Sequence, residues 1–299
     1  MHIMLSGAVK NKRKIKGKKM KKLIKLTALF ITTALLFVSC NKKAAEQVSV
    51  AKSVVALSPA ATEILFAIGA EDQIAAVSEY SDYPEAAKEK PVVGGFDGNT
   101  LSMEKILSFK PDLVYLTEGM HNFLIQGLED NNIPYYISNA TSVQAVYEEI
   151  SDIGKLTGHE NQAAIVIAEM KRIATGMQAT DSEKTSVYYE VWNEPYMSIG
   201  NTSFINDIII NAGGKNIFDD LSDGYPVVSE ETIIARQPEV ILIPANSGIS
   251  ADSVKARAGW ENIPAVKNNK VYVIDDNLYS RPGSRVANGI SELSVLLSK

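Results

Sequence analysis

Cysteine is nearly missing from this chain: Cys40 is the only one in 299 residues. No disulfide can form within it, so the fold must hold through its apolar core in any redox compartment. Histidine is scarce too, with only His121 and His159 beyond the extreme N-terminus. Carriers of bare zinc or manganese use several histidines together with carboxylates, and that supply is lacking. Neither a His-Glu-x-x-His nor a Gly-x-Ser-x-Gly signature occurs, so Ser58 and Ser78 have no nucleophile context. Acidic residues are missing before Glu46, while ten of the 30 Lys and Arg precede residue 26. From Cys40 onward the chain keeps 20 basic and all 35 acidic residues, a formal charge of −15 against −5 for the whole. So acidic a body excludes a nucleic-acid partner.

The basic N-terminal region is an export address. Lys21, Lys22 and Lys25 precede an apolar run, Leu26–Val38, and small Ser39 then precedes Cys40. A positive head, a short apolar core and a small residue at the cut make a secretory signal. The run is shorter than the roughly 20 residues that span a bilayer. We expect a signal at residues 20–39, with Cys40 carrying lipid after cleavage. Phe37 stands where the commonest lipoprotein signals have Leu.

Residues 40–52 are small and polar and read as a tether. Strand and helix patterns then alternate. Apolar runs at 53–58, 73–78, 92–95, 112–117 and 134–138 read as strands. Residues 60–70, 102–109, 120–131 and 142–158 read as helices between and after them. Residues 159–180 form a long helical segment of roughly 33 Å at 1.5 Å per residue. Alternation resumes with strands at 186–192, 239–244 and 270–275 and helices at 203–214, 229–238 and 284–298, with a loop and weak helix at 245–259. Such alternation implies mostly parallel sheets covered by helices. The expected fold is α/β, with two Rossmann-like lobes (53–157 and 182–299) bridged by one long helix (158–181) and a ligand cleft between them.

Several segments resemble one family in order along the chain. SVVALSPAATEILFAIGA, SEYSDYP and LSMEKILSFKPDLVYL resemble the N-terminal lobe of substrate-binding proteins of metal-chelate ABC importers. SIGNTSFINDIIINAGGKNIF and VVSEETIIARQPEVILI resemble the C-terminal lobe. The resemblance implies no catalysis or catalytic cofactor. It implies instead a bound iron chelate (siderophore or haem) or cobalamin, with partners in a membrane permease and its cytoplasmic ATPase. The expected protein is an exported monomer held by lipid at a membrane surface, on its periplasmic or cell-surface face. An exported enzyme, or an adhesin or sensor on the same fold, is the alternative.

Candidate residues follow from position and chemistry. Glu104 and Glu231 each begin a helix, one per half, and match the family's glutamates that dock on permease arginines; Glu230 is the rival for Glu231. Tyr80, Tyr83, Phe96, Trp192, Tyr196 and Tyr225 sit mostly in turn-rich segments after strands, where open α/β sheets bind ligands. A ring there can bury roughly 150–250 Å² against a flat chelate. Arg281, with Arg285 as alternative, is suited to a ligand carboxylate, and Asp276 lies nearby. Met120 and His121, at an expected helix start, are candidate axial ligands if the ligand is haem. The resemblance, together with the scarce histidines and several tyrosines, tilts the expected ligand toward a ferric chelate or haem.

Overall fold

A computed structural model describes residues 50–175 and 184–299. The expected signal, Cys40 and the tether through Ser49 lie outside the described residues.

The first half contains β1 (Val54–Ala56), α1 (Pro59–Ala67), β2 (Ile74–Ser78), β3 (Val92–Gly94), α2 (Met103–Ser108), β4 (Leu113–Thr117), α3 (Ile125–Asp130), β5 (Tyr135–Ser138) and α4 (Val143–Thr157). Its five strands are parallel in the order β3-β2-β1-β4-β5. After α5 (Glu160–Thr175), the second half contains β6 (Thr185–Tyr189), the hairpin β7 (Trp192–Asn193) and β8 (Tyr196–Met197), α6 (Phe204–Asn211), β9 (Gly214–Asn216), α7 (Glu230–Arg236), β10 (Val240–Pro244), α8 (Ala251–Lys255), α9 (Pro264–Lys267), β11 (Val271–Ile274), α10 (Asn277–Ser280) and α11 (Val286–Leu297). Its main sheet is parallel in the order β11-β10-β6-β9.

The central strands are continuous apolar runs because helices cover both faces. All of β1 and β10 is buried, as are the first four residues of β4. Serine starts many of the helices. Ser58, Ser102, Ser142, Ser203 and Ser229 each accept a first-turn backbone N–H, a cap that stabilises by about 1 kcal/mol. Gly158, at φ +75°, ends α4 in the left-handed region, which lets α5 fold back against it. A Cβ on Gly154 would stand 2.6 Å from that of Ala163, so only glycine permits this approach. The halves share one core: Val54, Ile64 and Ile150 of the first, Ala163 and Met170 of α5, and Val187, Ile209 and Ile290 of the second belong to one cluster.

Four expectations change. The bridging helix is described from Glu160 to Thr175, roughly 24 Å, and the rest of 158–181 is set apart by Gly158 or lies outside the described residues. The strand expected over 186–192 ends at Tyr189, and Trp192 opens a hairpin instead. Met120 and His121 do not begin a helix. They lie in a turn, and a 3-10 turn (Asn122–Leu124) then leads into α3. The helices α9 and α10, one opened by a proline and one following Asp276, were not expected.

Candidate functional site

In the first sheet the strand order reverses between β1 and β4, and in the second between β6 and β10. Open α/β sheets bind ligands at the carboxyl ends beside such points. A cavity of about 340 Å³ lies there. The first half supplies Ser58 to Ala60 after β1, Tyr80 after β2, Phe96 after β3, Thr117 and Met120 at and after β4, and Ser138 at the end of β5. The second half supplies Asn246 after β10, and Asp276, Ser280 and Arg281 after β11.

The aromatic wall is a stacked pair. Tyr80 and Phe96 have ring centroids 4.5 Å apart and planes 16° apart, so they present a flat apolar face. A hydrogen bond to the Glu79 side chain, then that residue's charge, raises the Tyr80 phenol above its ordinary pKa. Facing this wall, Asp276 accepts from the Asn246 backbone N–H at 3.3 Å and from its side-chain amide at 2.5 Å.

Buried Glu63 of α1 joins the halves. Arg285 donates to it twice, Nε to Oε2 at 2.8 Å and Nη2 to Oε1 at 2.7 Å. Arg281 Nη1 donates to the same carboxylate at 3.1 Å and to Asp82 at 2.6 Å. The Asp82 carboxyl is thereby held below its usual range. The Arg285 guanidinium also lies 3.9 Å from the centre of the Tyr83 ring. A charge set this buried adds little net stability, yet losing one partner is costly.

A second buried carboxylate, Glu149 of α4, has no cationic partner among the described residues. It accepts from the Tyr115 hydroxyl and, at 2.8 Å, from the Ser138 hydroxyl. Burial raises its pKa, and the two donated hydrogen bonds oppose that shift.

Five sequence-selected residues line the cavity together: Tyr80, Phe96, Met120, Asp276 and Arg281. Tyr83 is instead engaged by Arg285. Tyr196 is turned into the second half, where its ring lies 5.9 Å from that of Trp260 and its hydroxyl donates to Glu230. Packing against the Trp260 core, not the cleft, sets its position. Trp192 and Tyr225 are about half exposed and are not part of the lining. His121 is fully buried, and its Nδ1 accepts the Thr117 backbone N–H at 3.0 Å. That bond places the ring proton on Nε2, so no lone pair remains for iron. Burial holds its pKa down at about 4. No group of three or more His, Cys, Asp and Glu able to hold a metal occurs among the described residues.

Glu104 and Glu231 hold equivalent positions, each second in its helix after a serine cap and each exposed. Glu231's pKa is lowered, first by its own backbone N–H at the helix start. Glu230 is occupied, accepting from Tyr196 and from Trp260 Nε1 at 2.7 Å.

Sequence reasoning missed Ser58, Thr117, Ser138, Asn246 and Ser280. Thr117 and Ser138 end strands, Ser58 and Asn246 lie just beyond them and Ser280 closes the short helix after β11, so the strand-end rule that selected the aromatics would have found all but Ser280. Glu63 and Glu149 carried a different signal, an acid beside buried apolar residues on its own helix.

Residues 54–278 match the sequence model of the family described as periplasmic binding protein. A vitamin B12-binding protein of Vibrio campbellii is 31% identical over 247 residues, covering 81% of this chain and 88% of that protein. An uncharacterized ABC transporter substrate-binding lipoprotein of Bacillus subtilis is 32% identical over 253 residues, covering 81% and 79%. A crystal structure from Staphylococcus epidermidis, described as a possible iron-binding (periplasmic solute-binding) protein, superposes with a TM-score of 0.72. It is 30% identical and covers 83% of this chain and 99% of that one.

Proposed function

Since the chain belongs to the periplasmic binding protein family, and is thus an extracytoplasmic solute-binding protein rather than an enzyme, we propose that its cleft captures a corrinoid and delivers it to the permease of an ABC importer. The observation that carries this reading is the cavity itself, with a flat aromatic wall in one half facing an amide, carboxylate and guanidinium edge in the other. A corrin ring brings its own ligands to its metal and needs only a flat face and hydrogen bonds at its edge. Haem iron would take an axial ligand from the protein, and of the two candidates for that role His121 has no free lone pair and lies outside the cavity lining, which leaves the thioether of Met120. The similarity to a vitamin B12-binding relative supports the same reading. It moves the expected ligand away from haem and from direct iron coordination.

A macrocycle larger than 340 Å³ projects beyond the cavity. Trp192, after the switch-point strand β6, and Tyr225 have exposed ring surface to cover the projecting part. Glu104 and Glu231 form the docking pair on the permease, whose energy comes from the cytoplasmic ATPase. Exposed ion pairs contribute only about 0–1 kcal/mol each, which suits a carrier that must let go. Cys40 carries the lipid that keeps the carrier at the membrane.

The test is a titration of the purified protein with cyanocobalamin, a ferric siderophore and haem, followed by intrinsic fluorescence and the visible spectrum. Saturable binding of cyanocobalamin at micromolar concentration or below, with the other two much weaker, is the expected result. Preference for the siderophore would move the ligand to the iron-chelate class, the reading that the Staphylococcus epidermidis protein's description favours. A saturable Soret shift would restore haem.

A further inference from the structure

We propose that Glu149 sets the hydrogen-bond polarity of the cavity at Ser138, making it an acceptor that selects a ligand edged with carboxamide N–H groups over one edged with carboxylates. This rests on the corrinoid reading, because a corrin ring carries primary amides around its edge.

A serine hydroxyl has one proton to give and lone pairs to receive with. Ser138 lines the cavity, and its proton is committed to Glu149 Oε2 at 2.8 Å. Toward the ligand, Ser138 therefore offers only lone pairs. Glu149 is locked in this role because its other oxygen receives the hydroxyl of Tyr115, which is fully buried. On the opposite wall Ser280 likewise donates its proton to the Asp276 backbone carbonyl, at 2.7 Å. Asn246 gives one amide hydrogen to Asp276 and keeps its second N–H and its carbonyl oxygen. The Arg281 guanidinium on that wall is held by Glu63 and Asp82. A carboxylate ligand would meet lone pairs at Ser138 and Ser280, and an amide nitrogen would meet partners there.

Glu149→Gln changes the polarity with little change of shape. Tyr115 has no acceptor other than the residue at 149, so it keeps the amide oxygen. The amide nitrogen then donates to Ser138 and frees the serine proton to point at the ligand. Adding Tyr115→Phe removes that constraint, lets the amide turn its oxygen to Ser138 and restores the original polarity.

The experiment measures the affinity of the full-length protein in detergent for cyanocobalamin and for its monocarboxylic acid derivatives, in which one peripheral amide is hydrolysed. Wild type is expected to favour the amide. Glu149→Gln should cut cyanocobalamin affinity by about tenfold, the scale of one hydrogen bond, and narrow the preference for at least one derivative. The Tyr115→Phe double variant should recover the preference. A Glu149→Gln protein that is folded by circular dichroism and retains the wild-type preference overturns the proposal, as does a Ser138→Ala protein with that preference intact. Failure of wild type to bind any corrinoid would instead overturn the functional reading beneath it.

Discussion

The first half lines the cavity with a stacked Tyr80–Phe96 pair, Met120 and the side chains of Ser58, Thr117 and Ser138; the second lines it with Asn246, Asp276, Asn277 and Arg281. Both sets stand at the same kind of place, beyond the carboxyl ends of parallel strands. Shared architecture thus fixes where a ligand can sit, and the divergent loops decide how each half holds it. One half supplies a surface and the other an edge. Their charges meet at Glu63, which takes Arg281 and Arg285 of the second half into the first.

The largest effect should come from cutting that tie. Glu63→Ala leaves two largely buried guanidinium groups short of a partner and should lower unfolding free energy by about 3–5 kcal/mol in urea titrations. A loss below about 1 kcal/mol would mean that the apolar core alone joins the halves.

Acid should separate the halves next. His121 lies in the first half, and the sequence from residue 184 onward contains no histidine. Its pKa is about 4 in the folded state against an ordinary 6.5, so between these values the unfolded chain binds more protons. Its contribution is therefore complete above pH 6.5 and is lost as pH falls toward 4, by about 3 kcal/mol. Hydrogen exchange near pH 4.5 should show Thr117–Leu124 loosening ahead of β10 and β11, and His121→Gln should remove the lead. Simultaneous loosening of both halves would break the comparison at this point.

The division between surface and edge predicts a split in binding. Tyr80→Ala should weaken every flat ligand alike by about tenfold or more. Asn246→Ala should weaken cyanocobalamin and leave a ligand without amides unaffected. Parallel losses for both ligands in both variants would show that the walls are not specialised.

The smallest effect on the fold concerns Glu104 and Glu231. Both are exposed, so replacing either with alanine should change stability by no more than about 0.5 kcal/mol. Stimulation of the permease-bound ATPase should nonetheless fall, and fall further in the double variant. Full stimulation by the double variant would leave the matched helix starts as capping features only.

The layering of the molecule was legible in the sequence because buried parallel strands are written as short apolar runs and helix starts as serines. The line of the bridging helix was less so, since Gly158 acts through a backbone conformation that periodicity does not register. Within the site, rings and the arginine stood out by residue type. Tyr196 was misplaced because a tyrosine after a strand reads the same whether it faces a cleft or, as here, Trp260. Likewise His121 looked like a metal ligand until its Nδ1 was found bonded to the Thr117 backbone. The roles of Glu63 and Glu149 depend on partners far apart along the chain, beyond the reach of any local pattern.

That separation has a temporal side. Arg281 and Arg285 follow Glu63 by 218 and 222 residues. At about 5–20 residues per second of synthesis, the carboxylate is made roughly 10 to 40 seconds before the cations that neutralise it. Until Arg281 and Arg285 are in place, Glu63 is an acid that its apolar surroundings oppose, and a polypeptide cut short before Arg281 would keep that carboxylate without the cations that neutralise it.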